Sequence, residues 1–367
     1  MWSFIKILVV AIIVLVVYLF TWPVSIEPQS WDAPAAPSLT GKYAVNSALA
    51  DFDELDTDGL HGPEAITSNA VGDIYATTHE GWIIRWPAAL VATQKAERWV
   101  NVGGRPLGIA FDAEQNLWVA NAYAGLQKIT PAGVVSVEAN TADGVAIRYA
   151  DDLVVTPNGK IYFSDASTKF AAEDSAGTLE ASLLSIMEHG DHGRIIEFDP
   201  ATGETSVVMR KLTFANGVTS DELGRFLLVA ETGSYRIWKQ WLLGSRAGQT
   251  ELIIDNLPGF PDNIHRGQDG RYWVGLTSPR ADILDKLAKK PFLRKLIQRL
   301  PAFMRPTVEA YGHILAIDEN GEVLFDFQDP SGAYPATTGA WETDQYLYVS
   351  SLTARVMARY SKAQLGL

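Results

Sequence analysis

Six short segments of the chain carry side chains that could act together on one metal ion. Each lies ten residues before the hydrophobic core of a predicted strand, and their first residues are Glu64, Leu107, Asp151, Asn216, Asp262 and Thr337. Carboxylate and amide oxygens are the hard ligands that Ca²⁺ takes, whereas Mg²⁺ prefers to keep several waters. If the six positions converge, the sequence predicts a calcium site with the ligands Glu64, Asp151, Asn216 and Asp262.

The same residues have an alternative interpretation that needs no metal. Turns favour Asp and Asn because these side chains hydrogen-bond the neighbouring backbone. Two or three carboxylates buried together without a counter-ion would be costly, however. Convergence in one cavity would therefore favour the metal.

The strand cores that follow these segments form a repeat. Turns that mostly carry Gly, Asn or Asp precede them, and the six cores are Ile74-Tyr75, Leu117-Trp118, Ile161-Tyr162, Phe226-Leu227, Tyr272-Trp273 and Leu347-Tyr348. The steps between the cores are 43, 44, 65, 46 and 75 residues. Three steps match a four-stranded propeller blade of about 40–50 residues, and the two long steps contain insertions at 168–193 and 279–312.

This repeat predicts an all-β fold, a six-bladed β-propeller, because a β-sandwich would not repeat in this way. Equivalent positions in a propeller lie on a ring around the central channel. The repeat is therefore the element that would bring the six segments together.

The beginning of the chain predicts a membrane anchor. Every residue from Ile7 to Phe20 is apolar, and with its flanks the stretch approaches the roughly 20 residues that span a bilayer. Lys6 precedes it and the next cation is Lys42, which places the N-terminus in the cytoplasm and the propeller outside. A cleaved signal peptide is the alternative, but the nearest small-residue site, at 33–35, is too distant. We predict a single-pass transmembrane helix within 1–24, a Pro-containing linker at 25–40 and the propeller at 41–367.

The composition excludes several classes of function. The net charge of −13 argues against nucleic acid as a partner, because phosphate binding needs a cationic surface. Cysteine is absent, which removes disulfides, thiol catalysis and Cys-ligated zinc. The six histidines form no clear metal motif, and no Gly-x-Ser-x-Gly sequence occurs. A metal site would have to be built mainly from oxygen.

The second insertion differs from the rest of the chain. Between 282 and 305, seven Lys and Arg residues alternate with Leu, Ile, Phe and Met. The pattern predicts a basic amphipathic helix, interrupted at Pro291 and Pro301. Such a helix would either pack on the propeller rim or form a lid over the channel mouth. In the second case its cations, Arg294 among them, would rest on anionic membrane lipid.

Several motifs resemble those of the strictosidine-synthase-like propellers, including their membrane-anchored members. They cover about residues 62–360 and are GRPLGIAF, NLWVANAYAGL, GKIYFSDAST, FANGV, ETGSYRIWKQWL and NLPGFPDNI. More distantly the chain is similar to paraoxonases and gluconolactonases, whose axial ring binds catalytic Ca²⁺. The resemblance implies Ca²⁺ as the cofactor, with Glu64, Asn216, Asp262 and Asn263 at matching motif positions. Asp151 stands where these relatives usually have Asn.

Two departures from the resemblance bear on function. The paraoxonases have a histidine base where this chain has Leu107. The plant synthases use a glutamate in the last blade, where residues 334–339 (YPATTG) contain no acid. Asp152 matches an inner calcium ligand of the paraoxonase pattern.

The resemblance therefore implies a calcium-dependent hydrolase of small-molecule esters or lactones. The metal would polarise the substrate carbonyl, and Asp262 or Asp151 would orient a water or act as the base. A rival hypothesis is a non-catalytic, membrane-anchored binding propeller, which the missing histidine favours. A third is a condensing enzyme of the strictosidine synthase type, which the acid-free last blade disfavours.

Overall fold

The computed structural model describes residues 2–88 and 95–367. It begins with helix α1 (Trp2–Thr21), whose side chains all remain at least partly exposed. With 20 residues and an apolar composition, α1 is long and apolar enough to cross a membrane.

The body of the protein consists of six four-stranded antiparallel blades, which confirms the predicted six-bladed β-propeller. After β1 (Asp53–Asp56), blade 1 contains β2 (Ile66–Ser68), β3 (Ile74–Thr77), β4 (Trp82–Trp86) and β5 (Glu97–Asn101). Blade 2 contains β6 (Pro106–Phe111), β7 (Leu117–Asn121), β8 (Gly125–Ile129) and β9 (Val135–Ala139), and a short hairpin of β10 (Thr141–Ala142) and β11 (Val145–Ala146) follows. Blade 3 contains β12 (Ala150–Val155), β13 (Ile161–Asp165), β14 (Gly193–Asp199) and β15 (Glu204–Leu212).

The remaining three blades continue the pattern. Blade 4 contains β16 (Ala215–Ser220), β17 (Phe226–Glu231), β18 (Arg236–Trp241) and β19 (Thr250–Ile254). Blade 5 contains β20 (Gly259–Arg266), β21 (Tyr272–Pro279), β22 (Gly312–Ile317) and β23 (Val323–Asp329). Blade 6 contains β24 (Thr337–Glu342), β25 (Tyr346–Ser351) and β26 (Val356–Ser361) together with β1. The predicted strand cores all lie in the second strand of their blades.

The two ends of the chain close the ring in blade 6. Strand β1 pairs antiparallel with β26, from Asp53 opposite Arg359 to Asp56 opposite Val356. Leu55 in the middle of β1 is fully buried. The propeller is therefore closed by packing between segments that lie far apart in sequence.

The first strands of blades 2–6 each carry a β-bulge at the predicted ring position. The register shifts lie between Pro106 and Ile109, Ala150 and Leu153, Ala215 and Val218, Pro261 and Ile264, and Thr337 and Ala340. A bulge re-aims a side chain away from the regular alternation of a strand. The ring residues can therefore face the channel rather than a neighbouring sheet.

Two glycines allow these first strands to approach each other closely. A Cβ atom on Gly108 would lie 2.5 Å from the Cα of Asp152, and one on Gly217 would lie 2.3 Å from the carbonyl oxygen of Asp262. No side chain fits at such distances, so these positions require glycine. The close approach makes the ring narrow enough for residues of different blades to meet.

The two insertions form what we call the cap, which consists of α2 (Thr178–Glu188) and the segment 282–309. Within that segment, α3 (Asp282–Lys286) and α4 (Pro291–Gln298) are separate helices, and a single turn at Ala302–Met304 follows Pro301. The predicted interruptions at Pro291 and Pro301 thus both occur. A last helix, α5 (Lys362–Leu365), ends the chain.

Two arginines of the cap, Arg294 and Arg299, point inward. Arg294 is 1% exposed and donates to the carbonyl oxygens of Met187 at 3.0 Å and Ala288 at 3.1 Å. Arg299 is buried in the same way, whereas Lys289 and Lys290 are exposed. The expectation that these cations rest on anionic lipid is therefore wrong for Arg294 and Arg299, whose guanidinium groups instead donate to several carbonyl oxygens at once.

Residues 25–40 form no helix or strand, but they lie on the cap rather than standing away from it. Ile26 is fully buried, and the amide of Gln29 donates to the carbonyl oxygen of Glu188 at 2.8 Å. The ring of Trp31 stacks on His189 with centroids 3.8 Å apart. This segment is therefore part of the folded unit.

Candidate metal centre

Three carboxylates converge at one end of the central channel. Glu64 lies just before β2, Asp151 in β12 and Asp262 in β20, and all three are at most 4% exposed. One oxygen of each lies within 4.8 Å of the other two. Because the residues come from blades 1, 3 and 5, they approach the channel from three directions.

Two amide side chains accompany these three carboxylates. Asn216 lines the same cavity, and Nδ2 of Asn263 donates to Oε1 of Glu64 at 3.0 Å. The Oδ1 atoms of both amides and Oε2 of Glu64 are buried without a hydrogen-bond partner in the described part of the chain. Buried polar atoms are normally paired. The donor set therefore fits a hard divalent cation such as Ca²⁺, and all five residues predicted as ligands lie at this centre.

The other two ring positions add no oxygen ligand. Leu107 lines the cavity with an apolar side chain. Oγ1 of Thr337 instead bonds the backbone of His313, accepting from its amide and donating to its carbonyl oxygen, both at 2.9 Å. Blade 6 supports the centre indirectly, since Oγ1 of Thr338 donates to the carbonyl oxygen of Glu64 at 2.6 Å.

Asp152 lies behind the centre and connects two blades. Its Oδ2 accepts from the amide of Val218 at 2.9 Å and its Oδ1 from the amide of Leu153 at 2.8 Å. Burial raises the pKa of Asp152 to about 8, although these amide donors lower it. In this arrangement its carboxylate holds the first strands of blades 3 and 4 together.

Arg105 is a residue of the centre that the sequence interpretation missed. It is 2% exposed, and its charge opposes the effect of burial on the pKa values of the three carboxylates. The signal lay in the GRPLG motif, where a cation stands two residues before Leu107 in an otherwise acidic ring. With all three carboxyl groups ionised, the three carboxylates and one guanidinium have a net charge of −2, which one divalent cation would neutralise.

Burial and mutual repulsion weaken the acidity of the three carboxyl groups. Desolvation raises the pKa of Glu64 to about 7, while Arg105 and Asn263 act in the opposite direction. The pKa values of Asp151 and Asp262 lie well above their ordinary range, because of burial first and of the neighbouring carboxylates second. Without a cation, the centre therefore retains protons near neutral pH.

These shifts predict that protons would compete with a divalent cation such as Ca²⁺ for the centre. We expect the calcium affinity to rise from pH 6 to pH 8, by about tenfold per pH unit for each proton displaced. Calorimetry in buffers of different ionisation enthalpy would measure both the affinity and the protons released. An affinity that is constant over this range would contradict the prediction.

The same shifts act on the stability of the ion-free protein. Because the folded-state pKa of Glu64 is raised from 4.5 to about 7, the folded state holds a proton that the unfolded chain releases. The contribution of this bound proton to the free energy of unfolding is fully present below about pH 4. It is lost as the pH rises through about 7.

A cavity of about 530 Å³ extends from the centre to the cap. Its inner end contains Glu64, Asp151 and Asp262, and its walls are largely apolar, with contributions from Leu107, Tyr149, Phe214 and Phe260. Residues of α2 and of 282–284 and 306–309 form its outer part. The outer part combines apolar side chains such as Leu183 and Val308 with Asp282 and Glu309, and the cavity leads from there to a buried acidic end.

A second cavity of about 740 Å³ lies along the other ends of the first strands. It is lined by His265 and Trp341, whose rings pack edge to face at 5.9 Å. Burial lowers the pKa of His265 to about 4. Since His265 lies three residues along β20 from Asp262, the strand places the two side chains in different cavities.

The fold and the centre define a class of protein, the six-bladed propellers with an acidic axial site beneath a helical cap. The chain belongs to the strictosidine synthase-like family. The family model "Strictosidine synthase" matches residues 151–245, and the model "Strictosidine synthase-like, N-terminal" matches residues 41–86.

The curated relatives are similar over most of their length. Adipocyte plasma membrane-associated protein of Rattus norvegicus is 32% identical over 359 residues, which are 92% of this chain and 93% of that protein. The protein of the same name from Homo sapiens is 32% identical over 362 residues, 92% of this chain and 84% of that protein. A strictosidine synthase-like protein of Arabidopsis thaliana is 35% identical over 297 residues, 80% of this chain and 77% of that protein.

Solved structures share the fold at low sequence identity. A gluconolactonase from Xanthomonas campestris has a TM-score of 0.60 at 14% identity, covering 90% of this chain and 98% of that chain. The calcium-binding protein regucalcin from Agrobacterium tumefaciens has a TM-score of 0.55 at 14% identity, covering 84% of this chain and 93% of that chain.

Proposed function

We propose that the protein is a calcium-dependent hydrolase of esters or lactones. The observation that carries this proposal is the convergence of three buried carboxylates within 4.8 Å at the inner end of an apolar cavity. Oxygen atoms of Asn216 and Asn263 complete a donor set suited to Ca²⁺. The names of the structural neighbours, a gluconolactonase and a calcium-binding protein, agree with this chemistry.

The residues of the centre have two roles in this proposal, binding of the metal ion and transfer of a proton. Ca²⁺ held by the carboxylates and amides would polarise a substrate carbonyl and stabilise the charge that develops on its oxygen. Among the described residues, the lining of this cavity includes no histidine. Asp151 or Asp262 would therefore orient the attacking water and accept its proton. The apolar walls hold the rest of the substrate and exclude bulk water.

We further propose that α1 anchors this hydrolase in a membrane. The helix has the length and composition of a span, and the animal relatives are named as plasma membrane-associated proteins. In this proposal the N-terminus lies in the cytoplasm and the propeller on the opposite side, since Lys6 precedes the helix and the next cation is Lys42.

The test is a hydrolysis assay with the full chain in lipid nanodiscs, using phenyl acetate and simple γ- and δ-lactones. We expect activity that falls at least about tenfold with a chelator and returns with Ca²⁺ but not with Mg²⁺, because Mg²⁺ prefers a smaller, more hydrated site. Hydrolysis that is indifferent to the chelator would contradict the proposed centre. Calcium binding without hydrolysis of any of these substrates would favour the non-catalytic binding propeller.

A further inference from the structure

The last turn of α1 is bound directly to the cap. Arg299 donates from Nε to the carbonyl oxygen of Trp22 at 2.6 Å and from Nη1 to that of Leu19 at 2.9 Å. The hydroxyl of Tyr18 donates in turn to the carbonyl oxygen of Arg299 at 3.0 Å. The final carbonyl oxygens of a helix have no hydrogen-bond donor within the helix, and here the guanidinium group of Arg299 donates to them. Tyr and Trp favour the membrane–water boundary, so this contact holds the cap at that boundary.

The chain then leads from α1 into the wall of the cavity. Val24 and Ile26 belong to one apolar cluster with Leu107, Tyr149 and Phe214, which all line the cavity. The five residue steps from the end of α1 to Ile26 span at most about 18 Å. The cavity wall therefore lies close to the C-terminal end of α1.

Exposed apolar side chains of the cap lie in the outer part of the cavity and next to it in the chain, and we call them the rim. Leu183, Ile283 and Val308 line the cavity while remaining exposed. Phe303 is 85% exposed and Met304 56% exposed, and both come shortly before the lining segment 306–309. Exposed apolar side chains grouped at a cavity mark a site for another apolar phase.

Charge contributes less to this surface than its composition suggests. Arg294 and Arg299 bind carbonyl oxygens inside the cap. Of the exposed lysines, Lys289 pairs with Asp32 and Lys286 with Asp282, whereas Lys290 has no ion pair among the described residues. We therefore expect the contact of the rim with a bilayer to be mainly apolar.

We propose that the cavity opens onto the membrane and that its substrate is a lipophilic ester or lactone with a long hydrocarbon chain, taken from the bilayer. The inference rests on the proposed hydrolase function for its chemistry. A hydrocarbon chain would pass the apolar side chains of the rim and then lie along the apolar cavity wall. The carbonyl group would then reach Glu64, Asp151 and Asp262 at the inner end.

The position of the rim can be tested without any assay of activity. The chain has no cysteine, so Phe303→Cys creates a single attachment site for a fluorophore in the full-length protein. Leu223→Cys is the matched control, because Leu223 is 66% exposed and follows residues that line the second cavity. In vesicles of phosphatidylcholine with quencher-labelled acyl chains, we expect several-fold stronger quenching at position 303. Equal quenching at the two positions would overturn the proposal.

The substrate class is tested by chain length. In phosphatidylcholine vesicles, we compare p-nitrophenyl dodecanoate with p-nitrophenyl acetate for the parent, for Phe303→Ser/Met304→Ser, and for the control Val71→Ser/Leu223→Ser. The rim variant should lower the dodecanoate-to-acetate ratio of kcat/KM at least about tenfold, because the hydrocarbon loses its apolar route. The control should leave the ratio unchanged. An unchanged ratio in the rim variant would overturn the inference.

The two experiments separate this inference from the function on which it rests. If the parent hydrolyses the acetate and the rim variant loses both esters equally, the membrane route is wrong and the hydrolase stands. If the parent hydrolyses neither ester, the hydrolase function and the substrate class both fail. The quenching result then still shows whether the rim lies in the bilayer.

Discussion

Replacing Asp262 by alanine should lower the calcium affinity on the order of a hundredfold, about 3 kcal/mol, and remove hydrolysis with it. The substitution removes a full negative charge from the three carboxylates that lie within 4.8 Å of one another. Asn216→Ala should lower the affinity less, because it removes a neutral oxygen. Calcium titration by calorimetry, with elemental analysis of the purified protein, measures the difference.

Thermal unfolding separates a metal ligand from a residue that merely packs. If calcium binds at the centre, it should stabilise the folded parent by mass action, by about 2.7 kcal/mol at one hundred times Kd. A chelator should therefore lower the Tm of the parent much more than that of Asp262→Ala. In chelator the variant should be at least as stable as the parent, because two buried carboxyl groups repel less than three. Asp269→Ala, in the exposed turn before β21, is the control and should behave as the parent.

Equal calcium content in Asp262→Ala and the parent would contradict the axial site. A variant that is much less stable than the parent in chelator would assign Asp262 a packing role instead. Asp262→Asn, which retains an oxygen but no charge, should fall between the parent and the alanine variant in affinity.

Removing residues 1–40 should detach the cap while leaving the propeller folded. The truncation exposes the site of Ile26, which is fully buried, and removes the carbonyl oxygens of Gln29 and Pro34 that accept from Arg294 and Arg280. Burial of one isoleucine is worth roughly 2–3 kcal/mol and each hydrogen bond about 1 kcal/mol. The loss of about 4 kcal/mol should raise the open population of the cap on the order of a thousandfold.

Trypsin cleavage at the exposed lysines of 282–309 measures this opening. The matched control is the fragment 23–367, which lacks α1 and the carbonyl acceptors of Arg299 but keeps residues 23–40 on the cap. We expect rapid cleavage in 41–367 and much slower cleavage in 23–367, with calcium bound by both because the centre belongs to the blades. Equal protection of the two fragments would show that residues 23–40 do not hold the cap.

The blades could be predicted because their signals are local. A turn followed by an apolar strand core recurs six times. Each copy by itself predicts a β-hairpin, as at Asn158-Gly159 before Ile161. The ten-residue offset then identifies equivalent positions without knowledge of any contact. Glu64, Asp151 and Asp262 could be assigned to one ring on this basis, and the structure brings them together.

The same local signals could not show which ring positions face the cavity. Thr337 occupies an equivalent position, yet its hydroxyl bonds the backbone of His313 in the neighbouring blade. Arg105 was missed because a lone cation has no periodicity, and its role depends on carboxylates from other blades. Such roles arise from contacts between residues distant in sequence.

By itself, the sequence determined the apolar helix, the number of blades and the acidic ring, because each follows from a pattern within about 50 residues. The tertiary structure decided the rest. It selected β1 to close blade 6, turned Arg294 and Arg299 inward, and packed Ile26 against the cavity wall. These outcomes depend on which distant surfaces bury one another and which carbonyls remain free to accept a hydrogen bond, and neither can be determined from neighbouring residues in the chain.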